Sequence, residues 1–441
     1  MLAARQDDFE AAHEAIREAE QLGCSPGQLR MLRGQVALYQ GQIKEAIEHL
    51  DEAVKLVPDS VAAWSMLAVA HNSAGTHNDF HRALAEAERL LAVTPEDFLF
   101  RGHAEAALDP ERALQTLDEA VRRRPSVLAR LVRVQTLKMN LMDAPRPEQA
   151  ELAMDDVRLI KRQLPDNPMV LTASLEVHSA CFNLFDEFKM EARRQAALDE
   201  AWKDARALER FPDLPNAVVC RWVFLDQIGR QEVAWDDLQR LAEKIKDPLS
   251  VYFYGLALGR RGKSEQAVNV LAQAKGAAVP DLVRGSLLAE LPDGARRAGE
   301  LYAQIAAQNP AGWELFNSQL LLRFLGRKQE AIDVSQQFLQ QPERFPPVRR
   351  DSFRQTLEYC AGKRSANELL DSLRPSRVDL VNAHLCIALT ALADADRAEA
   401  KKHFQASRET RVWEFLPYDL STLFLARMEQ DPAWPPWIPV K

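Results

Sequence analysis

The sequence predicts an all-α fold, a right-handed α-solenoid of about ten to eleven helix pairs. The chain has 441 residues, more than one hydrophobic core usually supports. One spacing of small and large residues recurs along it, as in an array whose units pack only on their neighbours. Hydrophobic residues make up 47% and charged residues 27%, and 17 Gly and 24 Pro are too few for a turn-rich β fold or a disordered chain.

The recurring spacing is clearest in two segments. The first carries Gly34, Gly41, Ala46, Leu50, Ala53 and Pro58, and the second carries Gly255, Gly262, Ala267, Leu271, Ala274 and Pro280. The intervals 7, 5, 4 and 3 are the same in both, and the closing proline is displaced by one residue. Two antiparallel helices approach closely where side chains are small, while a large residue fills the remaining gap. Glycine then forms the turn and proline ends the second helix, which predicts a unit of about 34 residues.

Weaker copies of this spacing run through most of the chain and suggest four regions. Residues 1–165 form an N-terminal array, 166–215 an irregular or longer repeat, 216–415 a C-terminal array, and 416–441 a capping helix with a Trp/Pro-rich tail. Within the irregular region, we expect the segment from Phe182 to Glu191 to be a longer connection between helices.

The two ends differ from the rest of the array. Residues 1–24 supply only a second helix, marked by Ala12, Ile16 and Ala19, so the first unit is incomplete. At the other end, a helix from about Tyr418 to Glu429 precedes the tail, which contains Trp434, Pro435, Pro436, Trp437 and Pro439. Such a tail is either a polyproline ligand for another protein or a lid that folds back on the helical edge.

The pattern of small residues and a closing proline resembles that of the tetratricopeptide repeat (TPR) family. The resemblance implies that the first helix of each pair lines a concave surface, with its second, fifth, ninth, twelfth and thirteenth positions pointing into it. Projection of these positions predicts the partner-binding residues Tyr39, Met139, Tyr252, Arg260, Phe316, Arg323 and Phe324. The alternative is that some of these side chains pack against the adjacent helix.

A narrower resemblance links the chain to the repeat region that follows the catalytic domain in planctomycete-type bacterial serine/threonine protein kinases. It is carried by segments such as TPEDFLFRGHAEAALDPERALQTLDEAVRRRPSVLAR and YDLSTLFLARMEQDPAWPPWIP. The kinase reaction needs a glycine-rich loop, a strand lysine, a catalytic-loop aspartate and a metal-binding D-F-G motif. The sequence contains none of these, so the resemblance implies a non-catalytic arm.

Two motifs invite a catalytic or cofactor interpretation, and neither meets its structural requirement. Residues 257–264 fit a relaxed phosphate-loop pattern, yet that loop must follow a β-strand and these residues continue a repeat helix. His71, His77 and His81 cluster without the cysteine or carboxylate that would complete a four-ligand zinc site. We therefore predict no catalytic residue, no cofactor and no metal.

The charge balance bears on possible partners. The 56 Lys and Arg against 64 Asp and Glu give a formal net charge of −8, which argues against a nucleic-acid surface. Arg122, Arg123 and Arg124 precede Pro125 at a predicted helix C-terminus, where cations complement the helix dipole.

Five cysteines at wide spacing suggest reduced thiols. No segment has the length and apolar character of a membrane span or a leader, so we expect a cytoplasmic protein.

These observations together predict a non-catalytic scaffold that binds a partner protein or peptide in a concave groove. A first alternative is a regulatory or substrate-docking part of a bacterial serine/threonine protein kinase whose catalytic domain is absent from this chain. A second alternative is a structural scaffold that self-associates through the N-terminal half-unit.

Overall fold

A computed structural model describes residues 9–274, 278–308, 312–345 and 349–440. Within these residues the chain forms 24 α-helices and no β-strand. The prediction of an all-α fold is therefore confirmed. The chain divides into two compact units, one of Met1–Leu141 with Pro145–Arg210 and the other of Met142–Ala144 with Phe211–Lys441.

The first unit contains eleven of the described helices, and the end of the eighth reaches into residues assigned to the second unit. They are α1 (Phe9–Gln21), α2 (Pro26–Tyr39), α3 (Ile43–Leu56), α4 (Val61–Ser73), α5 (His77–Arg89), α6 (Pro95–Glu105), α7 (Pro110–Arg123), α8 (Val127–Asp143), α9 (Pro147–Gln163), α10 (Pro168–Glu187) and α11 (Glu191–Leu208). Consecutive helices pack in pairs, α2 on α3, α4 on α5, α6 on α7 and α10 on α11. Ion pairs from Asp156 to Arg130 and Arg133 join α9 to α8.

The second unit contains the remaining thirteen described helices and three short helical turns. They are α12 (Pro215–Gln227), a 3₁₀ turn (Gln231–Ala234), α13 (Trp235–Arg240), a π turn (Leu241–Ile245), α14 (Pro248–Arg260), α15 (Ser264–Leu271), α16 (Ala278–Leu288), α17 (Gly294–Gln308), α18 (Gly312–Phe324), α19 (Lys328–Leu339), a 3₁₀ turn (Pro342–Arg344), α20 (Arg350–Cys360), α21 (Ala366–Leu373), α22 (Arg377–Ala393), α23 (Arg397–Glu409) and α24 (Leu416–Gln430).

The small and large residues of the repeat meet as the spacing predicts. A Cβ atom placed on Gly34 would lie 2.6 Å from Cγ of Leu50, and one on Gly255 would lie 2.5 Å from Cγ of Leu271. These glycines therefore let the two helices of a pair approach closely. Gly41, in the turn between α2 and α3, has a φ of 72°, which favours glycine because it lacks a Cβ.

The segment from Phe182 to Glu191 departs from its prediction. Most of it is helical, because α10 continues to Glu187 and α11 begins at Glu191. Leu184 and Phe185 are buried, so the apolar face of α10 extends through this segment. The turn after α10 contains no glycine, and Lys189, two residues beyond the end of the helix, has a φ of 57°. The expectation of a longer connection here was wrong.

The packing at Ala267 provides a test of the repeat register. Ala267 on α15 is fully buried. Replacement by Trp places an indole where two helices touch, and we expect a loss of about 1 to 3 kcal/mol in the free energy of unfolding through overpacking. Urea denaturation followed by circular dichroism measures it. The control is Gln266→Trp, at an exposed position of the same helix. Equal stabilities of the two variants would contradict the register.

Candidate partner-binding surface

The predicted residues of the first unit lie on α2 and α8. Tyr39 is the last residue of α2 and is half-buried. Met139, near the C-terminal end of α8, exposes 44% of its surface. Gln135, one helical turn before it, is also exposed. Lys138 is half-buried beside them and pairs with Glu176 of α10 at 3.1 Å. This part of the unit thus presents an accessible mixture of apolar and polar side chains.

In the second unit, Tyr252 and Arg260 of α14 are occupied by other groups of the same chain. The Tyr252 hydroxyl donates a 2.7 Å hydrogen bond to Asp419 of α24, and only 7% of the tyrosine is exposed. The Arg260 guanidinium pairs with Asp226 of α12 at 2.6 Å. Neither side chain is free to meet a partner in this arrangement.

The predicted residues on α18 are more deeply buried. Phe316 packs in an aromatic cluster, with its ring centroid 5.7 Å from that of Trp313 and 5.3 Å from that of Phe353. Arg323 donates a hydrogen bond to the carbonyl oxygen of Cys360. The Phe324 ring stacks on Phe424 of α24 with centroids 4.7 Å apart and planes 9° apart. These three side chains contribute to packing within the unit.

One element covers much of this surface. Helix α24 contacts α14, α22 and α23, and it places Asp419 on Tyr252 and Phe424 on Phe324. Tyr252 therefore reaches a partner only if α24 moves away, and α24 covers one face of the Phe324 ring. The role of the five second-unit residues in partner binding stays a prediction. The repeat register identified residues on the first helices of pairs, but it contained no information about which segment lies over them.

The contact between α24 and α14 contains a buried carboxyl group, that of Asp419, whose pKa is raised. Burial raises the pKa of Asp419 to about 7, against the opposing effects of the Tyr252 hydrogen bond and the Arg260 charge. Burial also raises the pKa of Tyr252 well above its ordinary value, and the neighbouring Asp419 adds to this effect. Near neutral pH the two groups are thus joined as a neutral or singly charged pair.

The C-terminal tail folds back on the second unit. Trp434 is buried, and its indole nitrogen donates to Glu290 at 2.9 Å. Trp437 donates from its indole nitrogen to the carbonyl oxygen of Phe324 at 2.7 Å. Of the two interpretations of the tail, the structure therefore shows the lid.

Two buried polar networks in the first unit were not predicted. Asp156 of α9 binds Arg130 and Arg133 of α8. Asp204 of α11 accepts hydrogen bonds from Lys161 and Ser174 and lies 3.3 Å from Nδ1 of His178. The spacing of small and apolar residues gave no signal for either network, because each network joins side chains of different helices.

The Ser174, His178 and Asp204 cluster has the residue types of a hydrolase triad but not its geometry. A triad needs serine on one imidazole nitrogen and the carboxylate on the other. Here Nδ1 of His178 lies 3.3 Å from both the Ser174 hydroxyl and the Asp204 carboxylate, and the serine donates directly to the carboxylate at 2.5 Å. The cluster thus joins α10 to α11 and lacks a proton relay.

The remaining motifs have structural surroundings that differ from a ligand site. Residues 257–260 lie in α14, and Gly262, with a φ of 74°, forms the turn before α15, so no strand precedes the phosphate-loop pattern. His71 is 2.8 Å from the Thr76 hydroxyl. In the described part of the chain, no group of three or more His, Cys, Asp or Glu side chains is arranged to hold a metal ion.

The three consecutive arginines form ion pairs at the end of α7. Arg122 and Arg123 each pair with Glu119 at 2.6 Å, and Arg124 pairs with Glu96 at 2.6 Å. Their charges are thus paired with neighbouring carboxylates.

None of the helices in the described ranges is both long and apolar enough to cross a bilayer.

The paired helices, the glycine turns and the small-to-large contacts define a TPR-type helical-repeat fold. Comparison with protein families agrees, since residues 27–70, covering α2, α3 and most of α4, match the family model "Tetratricopeptide repeat". The predicted fold class, an α-solenoid of TPR-like helix pairs, is confirmed by the helix pairs, their close contacts and this match. No curated protein matches the chain.

Several solved structures match the chain at low sequence identity. Yeast Tom70 is 14% identical with a TM-score of 0.38, and the match covers 93% of this chain and 98% of that one. The human IFIT1 dimer with PPP-AAAA is 14% identical with a TM-score of 0.39, covering 92% and 95%. The type IV pilus biogenesis factor PilW is 12% identical with a TM-score of 0.34, covering 50% and 94%.

Proposed function

We propose that the chain is a non-catalytic scaffold that binds a partner protein or peptide on the concave side of its first unit. The observation that carries the proposal is the difference between the two sets of predicted residues. Met139 is 44% exposed beside the exposed Gln135, whereas Tyr252 and Phe324 are covered by α24. Methionine is flexible and polarizable, which suits a surface that receives another protein's side chains. We further propose that this binding takes place in the cytoplasm.

Alanine substitutions test this surface. We expect Met139→Ala to weaken partner binding by about 1 to 2 kcal/mol with little change in melting temperature, because Met139 is exposed. Tyr39→Ala should weaken binding by a similar amount and also lower the melting temperature slightly, because Tyr39 packs partly against the apolar core. The partner is first captured from the source cell and identified, and the purified pair is then titrated by calorimetry beside thermal melts of each variant.

The first unit offers a matched control. Leu159 on α9, the second helix of its pair, exposes 36% of its surface. Leu159→Ala should leave the affinity unchanged, because a concave site does not include the second helices. A loss of affinity in Leu159→Ala with normal binding by both concave variants would place the partner on the opposite face.

A second form of the proposal is that this scaffold is the substrate-docking arm of a serine/threonine protein kinase. The similarity of the repeat segments to those of planctomycete-type kinases supports it. The same surface would then hold the kinase substrate. An in-frame kinase domain in the DNA immediately upstream is the expected finding, and a stop codon followed by an unrelated gene would contradict it.

A further inference from the structure

The second unit holds the C-terminal tail, residues 431–440, in the manner of a bound peptide. The Arg397 guanidinium at the start of α23 donates to five main-chain carbonyl oxygens of this tail. The acceptors are Ala433 at 2.9 Å, Trp434 at 3.3 Å, Pro435 at 3.3 Å, Ile438 at 2.6 Å and Pro439 at 2.8 Å. These five carbonyl groups converge on one side chain because the tail is folded into turns, closed by hydrogen bonds from the Trp434 N–H to the Asp431 carbonyl oxygen at 3.0 Å and from the Ile438 N–H to the Pro435 carbonyl oxygen at 3.2 Å. Arg397 therefore recognises a folded main chain rather than one particular residue.

The chemistry of the tail matches this donor. Pro435, Pro436 and Pro439 have no N–H group, so the tail presents mainly carbonyl acceptors to its surroundings. Proline also limits the conformations of the free segment, which lowers the entropy cost of binding. The N–H donors of the Arg397 guanidinium thus complement the carbonyl acceptors of this proline-rich tail.

Two tryptophans provide side-chain selectivity. The Trp434 ring lies 5.4 Å from the centroids of both Phe324 and Phe424, while Glu290 accepts its indole N–H. The Trp437 ring meets Phe324 edge-on at 5.0 Å, and the carbonyl oxygen of Phe324 accepts its indole N–H. The site therefore has two aromatic pockets, three residues apart, each with a fixed acceptor for an indole.

The walls of the site belong to helices that do not include the tail. Arg397 lies on α23, Phe324 on α18 and Phe424 on α24, and Glu290 follows α16. The tail itself begins after α24 ends at Gln430 and contains no helix or strand. The tail therefore lies against these helices and is part of none of them.

We propose that Arg397, Glu290, Phe324 and Phe424 form a peptide-binding site for a proline-rich segment that folds into turns and carries two tryptophans in W-x-x-W spacing. The chain's own tail occupies the site, and a partner segment of the same chemistry binds there when the tail is released. This site is separate from the surface on the first unit. A tethered tail has a high effective concentration, so a partner in solution competes poorly until the tail is weakened.

Peptide binding to the full chain tests the proposal. The probe is a fluorescein-labelled peptide of residues 430–441, followed by fluorescence anisotropy. The variant Trp434→Ala/Trp437→Ala weakens the tethered tail, and we expect it to bind the probe at least tenfold more tightly than the wild type. Adding Arg397→Gln to this variant should abolish binding, and a probe with both tryptophans replaced by alanine should not bind. Tyr39→Ala and Met139→Ala should have no effect, which separates this site from the proposed function.

If the double variant does not fold, a chain with a protease site just before the tail provides a second test of the proposal. A protease recognition sequence in the exposed segment 429–433 leaves both tryptophans and Arg397 in place. After cleavage, the labelled probe should exchange with the released tail. Failure of exchange, or failure of a folded double variant to bind the probe, would show a permanent clamp and overturn the proposal. Dimers formed by exchange of tails would assign the site to a second copy instead of a partner, and would also overturn it.

Discussion

Asp156→Ala is expected to lower the free energy of unfolding by about 3 to 5 kcal/mol, because it removes the buried counter-charge of Arg130 and leaves the buried Arg133 with only the exposed Asp118, at 2.6 Å. Asp156 exposes only 1% of its surface. Arg133 binds it through two hydrogen bonds, from Nε at 2.7 Å and from Nη2 at 2.8 Å. Arg130 binds the same carboxylate. Loss of Asp156 removes the charge shared by both guanidinium groups, which lie on α8.

The adjacent residue provides a control for this experiment. Asp155 pairs with Arg158 at 2.5 Å, and both side chains are 60% exposed. Since exposed ion pairs contribute little, Asp155→Ala should change the stability by roughly 0 to 1 kcal/mol. Urea denaturation monitored by circular dichroism measures both variants. Similar losses in the two would mean that the buried pair is solvated and that its assigned role is wrong.

Asp419→Asn is expected to remove a pH dependence of stability that the wild-type chain shows between about pH 4 and pH 7. Burial raises the pKa of Asp419 from 3.8 to about 7 in the folded chain. In this window the folded chain retains a proton that the unfolded chain releases, so stability falls as the pH rises. The full effect is on the order of 4 kcal/mol, from about 1.4 kcal/mol per pKa unit.

The charged and titratable groups around Asp419 act on it from several elements. They are Tyr252 and Arg260 of α14, Asp226 of α12, and Glu414, which precedes α24. Asparagine keeps the shape of the acid and stays neutral at every pH, so the stability difference should shift in favour of the variant as the pH rises. Denaturant midpoints from pH 4 to pH 8 measure the shift, with the exposed Glu429→Gln on the same helix as control. Parallel curves for wild type and Asp419→Asn would contradict the prediction.

The sequence by itself determined the helix pairs and their internal contacts. Gly34 and Leu50, or Gly255 and Leu271, meet within one pair and are separated by sixteen residues. Such contacts depend on helical periodicity and a single turn, so a fixed spacing of small and large residues is enough to predict them. The irregular region was harder, because the turn after α10 has Lys189 instead of a glycine in the left-handed conformation.

The tertiary structure alone decided what covers the predicted binding residues. The hydrogen bond from Tyr252 to Asp419 spans 167 residues, and that from Trp437 to the Phe324 carbonyl spans 113. In a solenoid the distance between remote helices results from the small rotation added at each repeat. The residue pattern of a single repeat contains no information about the total of these rotations. The face of each helix could therefore be predicted from the sequence, whereas the position of α24 and the tail over that face could not.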